Sequence, residues 1–383
     1  MTSDKLTTKL PLFLFVFGIL LNVSAQHKIL ENIDFEADFR FRVEQDWDSR
    51  KSDGTYREDR TRMRYRARIG ATYSYKDWAT VGLRLRTGNP IKQQDPQITL
   101  GDVSKEFGTL PVGFEKVYFK AKHKTFEGWI GKNTFPFEKN NEQFWSDNVF
   151  PEGVFLKNTI PINSCILDAI SLGAGHFIVV ASGESLGKDA YFQGYQTNLS
   201  FLDNRLNIFP SFYFFKNIPD IPDGAATFVF DYTIFHLGGK LNISKKPNIN
   251  WDWDYYQNLE DYNNNPNIPQ NLKDETAGFV SGFSYGELKA KGDWFFKLTY
   301  NYLQRYAAVD FLTQNDWARW DYSAFDSPDG RLTNYKGFEF VAAYSLNKRM
   351  NLVMKYYLVE QLVPYGPSLE NGSRIRFDID VKF

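Results

Sequence analysis

The run Arg374-Ile375-Arg376-Phe377-Asp378-Ile379-Asp380-Val381-Lys382-Phe383 alternates a charged and an apolar side chain at every step. Successive side chains of an extended strand point to opposite faces. Ile375, Phe377, Ile379, Val381 and Phe383 therefore make one apolar face, and Arg374, Arg376, Asp378, Asp380 and Lys382 make a charged one. In a chain with 43% hydrophobic and 24% charged residues, chance gives such a window on the order of once in 10^5. A face this uniformly charged beside one this greasy suits a strand with lipid on one side and water on the other.

The same pattern opens the chain. From Ile33 to Val43, Ile33, Phe35, Ala37, Phe39 and Phe41 face outward against Asp34, Glu36, Asp38, Arg40 and Arg42. A charged loop over Gln45 to Arg60 leads to a second strand, where Met63, Tyr65, Ala67 and Ile69 alternate with four arginines. After a tight Lys76-Asp77 turn, Val81, Leu83 and Leu85 oppose Arg84 and Arg86, and a long Gly- and Pro-containing loop reaches a fourth strand over Phe114 to His123. Further strand-like stretches lie near 126–133, 153–160, 166–180, 190–200, 205–215, 231–243, 249–257, 275–286, 293–305, 334–346, 350–360 and 372–383. Short turns and longer polar loops alternate between them, the rhythm of an all-β transmembrane antiparallel β-barrel. The expected count is sixteen strands, bounded by about fourteen and eighteen. An even count places both ends of the barrel on one side. Closure is a physical requirement, because backbone donors and acceptors in hydrocarbon must all be paired, so the first and last strands should zip together.

Composition agrees with this class. Mean hydropathy is below zero, which excludes a bundle of membrane helices, each needing about 20 apolar residues in a row. The one apolar run, Leu10 to Leu21, follows Lys5 and Lys9 and ends on Val23-Ser24-Ala25. It reads as a signal peptide over residues 1–25, cut before Gln26, with the barrel spanning 26–383. The lone Cys165 rules out a disulfide framework and is expected to be buried or lipid-facing. A net charge of -1 gives no bias toward nucleic acid. Aromatics, 17% of the chain, are expected in belts at the membrane interfaces. Trp251 and Trp253, alternating with Asp252 and Asp254, fall on the lipid side.

The inward face of the first three strands carries Arg40, Arg42, Arg62, Arg64, Arg66, Arg68, Arg84 and Arg86, and Lys116, Lys120, Lys122 and Lys132 extend it. Arginine cannot discharge itself at neutral pH, so such a cluster requires water, acids or anionic solute beside it. The third long loop, Thr134 to Glu152, holds Glu138, Glu142, Asp147 and Glu152. Folded into the lumen against the arginines, it would form a narrow waist with a transverse field, passing small hydrophilic solutes and favouring anions. The competing arrangement neutralises the arginines with Asp34, Glu36 and Asp38 on neighbouring strands and leaves them no selective role.

Gly183-Glu184-Ser185-Leu186-Gly187 matches a serine-hydrolase pattern, but that pattern works at a strained turn between a strand and a helix, whereas here a strand-like run follows. The four histidines, His27, His123, His176 and His236, show no metal-ligand spacing, and no cofactor is indicated. Asp46, Asp48 and Asp53 are read as solvated loop charges rather than a cation site.

The segments Gly82 to Pro90, Thr99-Leu100-Gly101, Gly131-Lys132 with Pro136-Phe137, Trp145-Ser146-Asp147 with Pro151-Glu152-Gly153, Lys336 to Glu339 and the terminal Phe383 resemble the bacterial outer-membrane putative-porin family. The likeness is strongest between Phe35 and Val154, and Glu115 to Phe119 departs from the expected Asp-Arg-Ala-Tyr pattern. What the resemblance implies is a multi-pass diffusion channel in the outer membrane of a Gram-negative bacterium. It implies a constricting third loop, assembly as trimers, a final aromatic read by the barrel-assembly machinery, and kinship with general diffusion and phosphate- or pyrophosphate-type porins. The alternatives are a closed outer-membrane barrel acting as a hydrolase or as an adhesin or scaffold.

Overall fold

The computed structural model describes residues 32–91, 94, 96–102, 104–162, 164–220, 228–317 and 332–383. The expected signal peptide and His27 lie outside them. The strands are β1 Ile33–Arg50, β2 Arg60–Tyr75, β3 Ala79–Thr87, β4 Ile98–Thr99, β5 Val112–His123, β6 Phe126–Lys132, β7 Glu152–Pro161, β8 Leu167–Val180 and β9 Ala190–Phe201. They continue as β10 Leu206–Pro219, β11 Val229–Lys245, β12 Asn248–Asn258, β13 Ala277–Gly286, β14 Trp294–Leu303, β15 Tyr335–Asn347, β16 Met350–Gln361 and β17 Asn371–Lys382. Sixteen of them pair antiparallel in chain order and close through β1 and β17; the two-residue β4 pairs with β2 beyond the end of β3. The expected all-β barrel of sixteen strands is therefore what forms, with one short extra strand.

The closing seam explains the two terminal patterns. Across it Arg40 faces Asp380, Arg42 faces Asp378, Glu44 faces Arg376 and Asp46 faces Arg374, while Phe39, Phe41 and Val43 face Val381, Ile379 and Phe377 on the other side of the wall. Each opposite-charge pair adds about 0.2–1 kcal/mol. A slip of two residues would set Arg42 against Arg376, so charge as well as face fixes the register. Strand β1 runs on to Arg50, taking in Gln45 to Arg50 of the stretch expected as loop, because Glu44 and Asp46 continue the inward alternation.

Outward positions carry the apolar belt: Phe35, Ile69, Leu83, Phe119, Leu156 and Phe377 are all exposed. Trp251 lies on this face as expected, its ring 4.6 Å from Trp253 and 5.9 Å from the exposed Phe283. Many other aromatics are not in the belts. Phe177, Phe192, Tyr213, Phe215, Tyr232 and Tyr256 are inward and buried, and they form one apolar core inside the barrel on the β8–β12 side. Among the described residues three loops contribute to it, and the β12–β13 connection supplies Tyr262, Ile268 and Leu272. Residues 133–151, between β6 and β7, contribute Phe135, Phe137, Phe144, Trp145 and Val149; the β14–β15 connection contributes Tyr306, Ala307, Val309, Phe311 and Leu312. A sixteen-stranded barrel is too wide for its own side chains to fill, and here loop side chains fill one half of it. Cys165 sits exposed on the short turn between β7 and β8, not buried in the wall.

Candidate functional site: a charged eyelet beside the loops

Alternation on β1 and β2 turns Arg40, Arg42, Arg64, Arg66 and Arg68 into the half of the lumen that the apolar core leaves open. They line a cavity of about 260 Å³ together with Arg376, Asp378 and Asp380 of β17, Lys355 of β16, Glu142 and Asp147 of the 133–151 loop, and Gln314 and Asp316 of the β14–β15 loop. The β14–β15 connection thus joins the 133–151 loop at this cavity, a partner that alternation along the strands does not indicate.

Every one of those arginines has an acid or a carbonyl close by. The Arg42 guanidinium donates twice to Asp378, at 2.7 and 3.0 Å, and Arg40 donates to Asp380 at 2.8 Å. Arg66 and Arg68 share Asp38 at 2.8 and 2.7 Å, and Arg64 donates to the Gln97 carbonyl at 3.0 Å. Asp38 is the one acid of the expected neutralising set placed at this spot; Glu36 lies 3.7 Å from Arg84. Yet β1 and β2 also set Arg40 opposite Arg66 and Arg42 opposite Arg64. Like charges directly across a ladder are destabilising, and this arrangement persists because β17 supplies the counter-charges on the other flank. In total seven cationic side chains and five carboxylates line the cavity.

The loop acids face this wall from the far side. Loop position is fixed by hydrogen bonds to strands: the Glu138 backbone N–H donates to Gln196 at 2.7 Å, Asn141 donates to Asp254 at 2.5 Å, and Tyr335 donates to Gln143 at 2.6 Å. The loop can leave β6 because Gly131 takes φ +115°; a Cβ there would lie 2.4 Å from the Val117 carbonyl. The two loops are tied to each other, since Ser146 N–H donates to the Leu312 carbonyl at 2.7 Å and Gln314 donates to Glu142 at 2.9 Å. Burial alone would raise the Asp316 carboxyl, but the Arg376, Arg42 and Arg374 guanidinium groups overcome this and hold it well below the usual aspartate range.

The remaining expected residues are distributed otherwise. Arg62 pairs with Glu44, Arg84 with Glu115 at 2.6 Å, and Arg86 donates to the Thr87 and Asn89 carbonyls, anchoring the loop that follows β3. A bulge opposite Arg84 and Leu85 brings both Glu115 and Lys116 inward between the outward Phe114 and Val117. Lys116 then lies over the Phe150 ring of the loop at 5.5 Å. Lys120 is inward but near the short-turn end, paired with Glu127 at 2.9 Å. Glu138 lines a different cavity, described below.

Lys132 and Glu152 do not join the waist. They are register partners of one another, Lys132 also pairs with Val117, and the face they share is that of Ile130 and Val154, the outward one. Glu152 is the first residue of β7 rather than part of the loop, and its ion pair with Lys132 lies on the outer wall.

Ser185 falls on an exposed loop that reaches β9 through a single 3-10 turn, Leu186–Lys188, with no strand-to-helix elbow. Asp46, expected as a solvated loop charge, is instead a buried residue of β1 that binds the guanidinium groups of Arg57, Arg60 and Arg374, and Asp53 accepts from Thr55. His236 is buried beneath the loop with Nε2 2.8 Å from Asp254 Oδ1.

Comparison with known proteins decides the family. A family model described as "Putative porin" matches residues 49–229 and 225–383. This chain belongs to that porin family. No curated protein matches it. Among solved structures, the high-pH structure of Pseudomonas putida OprB is similar, with 12% identity, a TM-score of 0.56, and coverage of 94% of this chain and 96% of that one. A triple mutant of Rhodopseudomonas blastica porin is similar at 10% identity and TM-score 0.49, covering 92% of this chain and 100% of that one. The barrel fold is shared with OprB, and the family makes this a channel-forming porin of the outer membrane.

For this porin the outward placement of Lys132 and Glu152 has a measurable consequence. Replacing both by Ala is expected to leave the reversal potential under a salt gradient unchanged and to cost the barrel at most about 1 kcal/mol, as for an exposed ion pair. A shifted reversal potential would put the pair inside the lumen after all.

Proposed function

We propose that the porin passes small hydrophilic solutes passively, with a weak preference for anions, across the outer membrane of a Gram-negative bacterium. The supporting observation is a series of polar cavities of about 260, 500 and 730 Å³ that share walls. Glu142, Asp147, Gln314 and Lys355 line both the first and the second; Glu138, Lys139, Asn140, Phe295 and Lys297 line both the second and the third. They pass from the arginine side, around the 133–151 loop, toward the short-turn end, where β11 joins β12. The anion preference is supported by the excess of cations around the smallest of the three. It is weak because each arginine there already has a counter-charge or carbonyl in contact.

On this reading no reaction is catalysed and no cofactor is needed. Residues 1–25 direct export and are removed, and the barrels associate as trimers in lipid. Phe383, exposed with its backbone N–H donating to the Ala37 carbonyl at 2.9 Å, is the signal for the barrel-assembly machinery.

Planar-bilayer recording of the purified, folded protein under a salt gradient tests the reading. Stable steps with a reversal potential on the anion side are expected, and Arg64→Ser with Arg66→Ser should move that potential toward the cation side. Steps without that movement would remove the arginines from the filter. Folded protein without steps would overturn the channel reading.

A further inference from the structure

Beneath the in-folded loop, the lumen opens at the short-turn end into the cavity of about 730 Å³, and its wall differs in chemistry from the eyelet. The cations Lys139, Lys240 and Lys297 are matched by Glu138, Asp252 and Glu287. Two of the three ammonium groups are already neutralised in contact, Lys297 by Asp252 at 2.9 Å and Lys139 by Asp147 at 2.6 Å. An ion therefore gains little here that it would not gain in water.

What the wall offers instead is amides. Asn140 from the loop, Asn198 from β9, Asn207 from β10 and Asn248 and Asn250 from β12 converge on the cavity, which Phe209 and Phe295 complete with two phenyl rings. Each carboxamide supplies two donors and an acceptor on a planar, uncharged group. Asn140 is committed to the fold, donating to the Gly239 and Trp253 carbonyls at 2.9 and 3.0 Å. Asn250 and Asn242 both donate to Asn248 Oδ1, which sets these amides as a rigid row along the wall. The Asn198 Oδ1 is buried without a hydrogen-bond partner among the described residues. A buried acceptor left open costs free energy unless something in the cavity satisfies it.

We propose that this vestibule is a binding site for a neutral, polyhydroxylated solute, a mono- or disaccharide, placed in series with the charged eyelet. Hydroxyl groups both donate and accept, which suits fixed amides. The apolar C–H face of a sugar ring suits a phenyl ring, and charge balance leaves neither an anion nor a cation preferred. The eyelet then filters by charge and the vestibule by hydroxyl pattern. The binding is weak, as a conduit requires.

The proposal rests on the channel reading, and one experiment separates the two failures. Ion current through single channels is recorded while maltose, and in parallel glycine, is titrated into the bath. Maltose should reduce the current in a saturable way and glycine at equal concentration should not. Asn198→Ala combined with Asn250→Ala should raise the half-blocking maltose concentration about tenfold, the effect of losing two hydrogen bonds of ordinary strength. Absence of steps would sink the channel reading itself. Steps with no maltose block, block by glycine as strong as by maltose, or block unaffected by the two Asn changes in protein shown to be folded would each overturn the sugar site. Should the double variant fail to fold, the maltose-against-glycine comparison on the unaltered protein still decides.

Discussion

Phe144→Ala should turn a quiet channel into a noisy one of larger mean conductance. Phe144 is one of four loop rings, with Phe135, Phe137 and Trp145, that join the loop to the barrel: it lies 5.2 Å from Tyr256 at 10° between planes, 4.8 Å from Tyr213, and within 6.4 Å of Phe215. Its exposure is 2%, and the rings around it are equally buried. Truncating a buried Phe costs about 3–5 kcal/mol through lost transfer and an unfilled cavity. That cost falls on the association of the loop with the wall rather than on the barrel, whose strands remain fully paired. The rings of Phe135, Phe137 and Trp145 and the hydrogen bonds of Glu138, Asn140, Asn141 and Gln143 are left to hold the loop around the unfilled space, and a neutral hydrogen bond contributes only about 0.5–1.5 kcal/mol net. Phe144→Leu keeps most of the buried apolar surface and should restore a quiet trace. Unaltered conductance and noise in Phe144→Ala would show that the remaining rings and polar tethers suffice and that Phe144 is not what positions the loop.

The barrel was legible in the sequence because its wall separates two solvents, and a period of two survives wherever both faces are under constraint. Arg62 to Ile69 and Arg374 to Phe383 are the clearest cases, and strand ends elsewhere fell close to their observed positions. The site was half legible. Inward arginines followed from alternation, but alternation assigns a face only while the strand is regular. The bulge at Glu115 and Lys116 admits two consecutive residues to one side, whereas Lys132 keeps the parity of the outward Phe126 and Ile130 in an unbroken β5–β6 register, so regular alternation itself sets it on the outer face. Asp378 and Asp380 were visible as a charged face, and their partnership with Arg42 and Arg40 needed only the closing register. Asp316 had no such signal. It lies in a connection whose apolar residues, Val309, Phe311 and Leu312, pack inward with no periodicity to mark them. For the same reason the aromatic half of the lumen was read as membrane belt: an inward Tyr213 or Tyr256 and an outward Trp251 obey the same alternation, and only the infolded loops make the inward set a core.

Asp316→Asn should change both selectivity and loop stability, because this one carboxylate serves three guanidinium groups. It pairs with Arg376 and lies 3.9 Å from both Arg42 and Arg374, while its carbonyl accepts from Arg374 at 3.3 Å. Arg376 is 2% exposed and, among the described residues, keeps the ion pair with Asp378 at 3.6 Å and the face of the Tyr357 ring at 5.5 Å once the Asp316 charge is gone. Removing one partner of a buried pair typically costs about 3–5 kcal/mol, here paid by the β14–β15 arm, whose docking fixes the second side of the waist. Five carboxylates around the eyelet become four against seven cations, so the reversal potential should move toward the anion side, opposite to the Arg64→Ser, Arg66→Ser change. Asp316→Glu, which keeps the charge, should keep the parent potential. The pH dependence follows from the same contacts. Since the folded-state pKa of Asp316 is depressed, its stabilising contribution is complete above the ordinary aspartate value of 3.8 and is lost only as pH falls through the lower folded value. The Asp316 contribution to selectivity should therefore be flat from neutral pH down to about 4 and drift toward anions only below that, after Glu142, whose carboxyl burial and the neighbouring Asp147 raise above the usual glutamate range, has already protonated. In Asp316→Asn the acid-side drift from this group should vanish. A drift below pH 4 that persists unchanged in Asp316→Asn would show that another group, not Asp316, sets the acid-side charge of the eyelet.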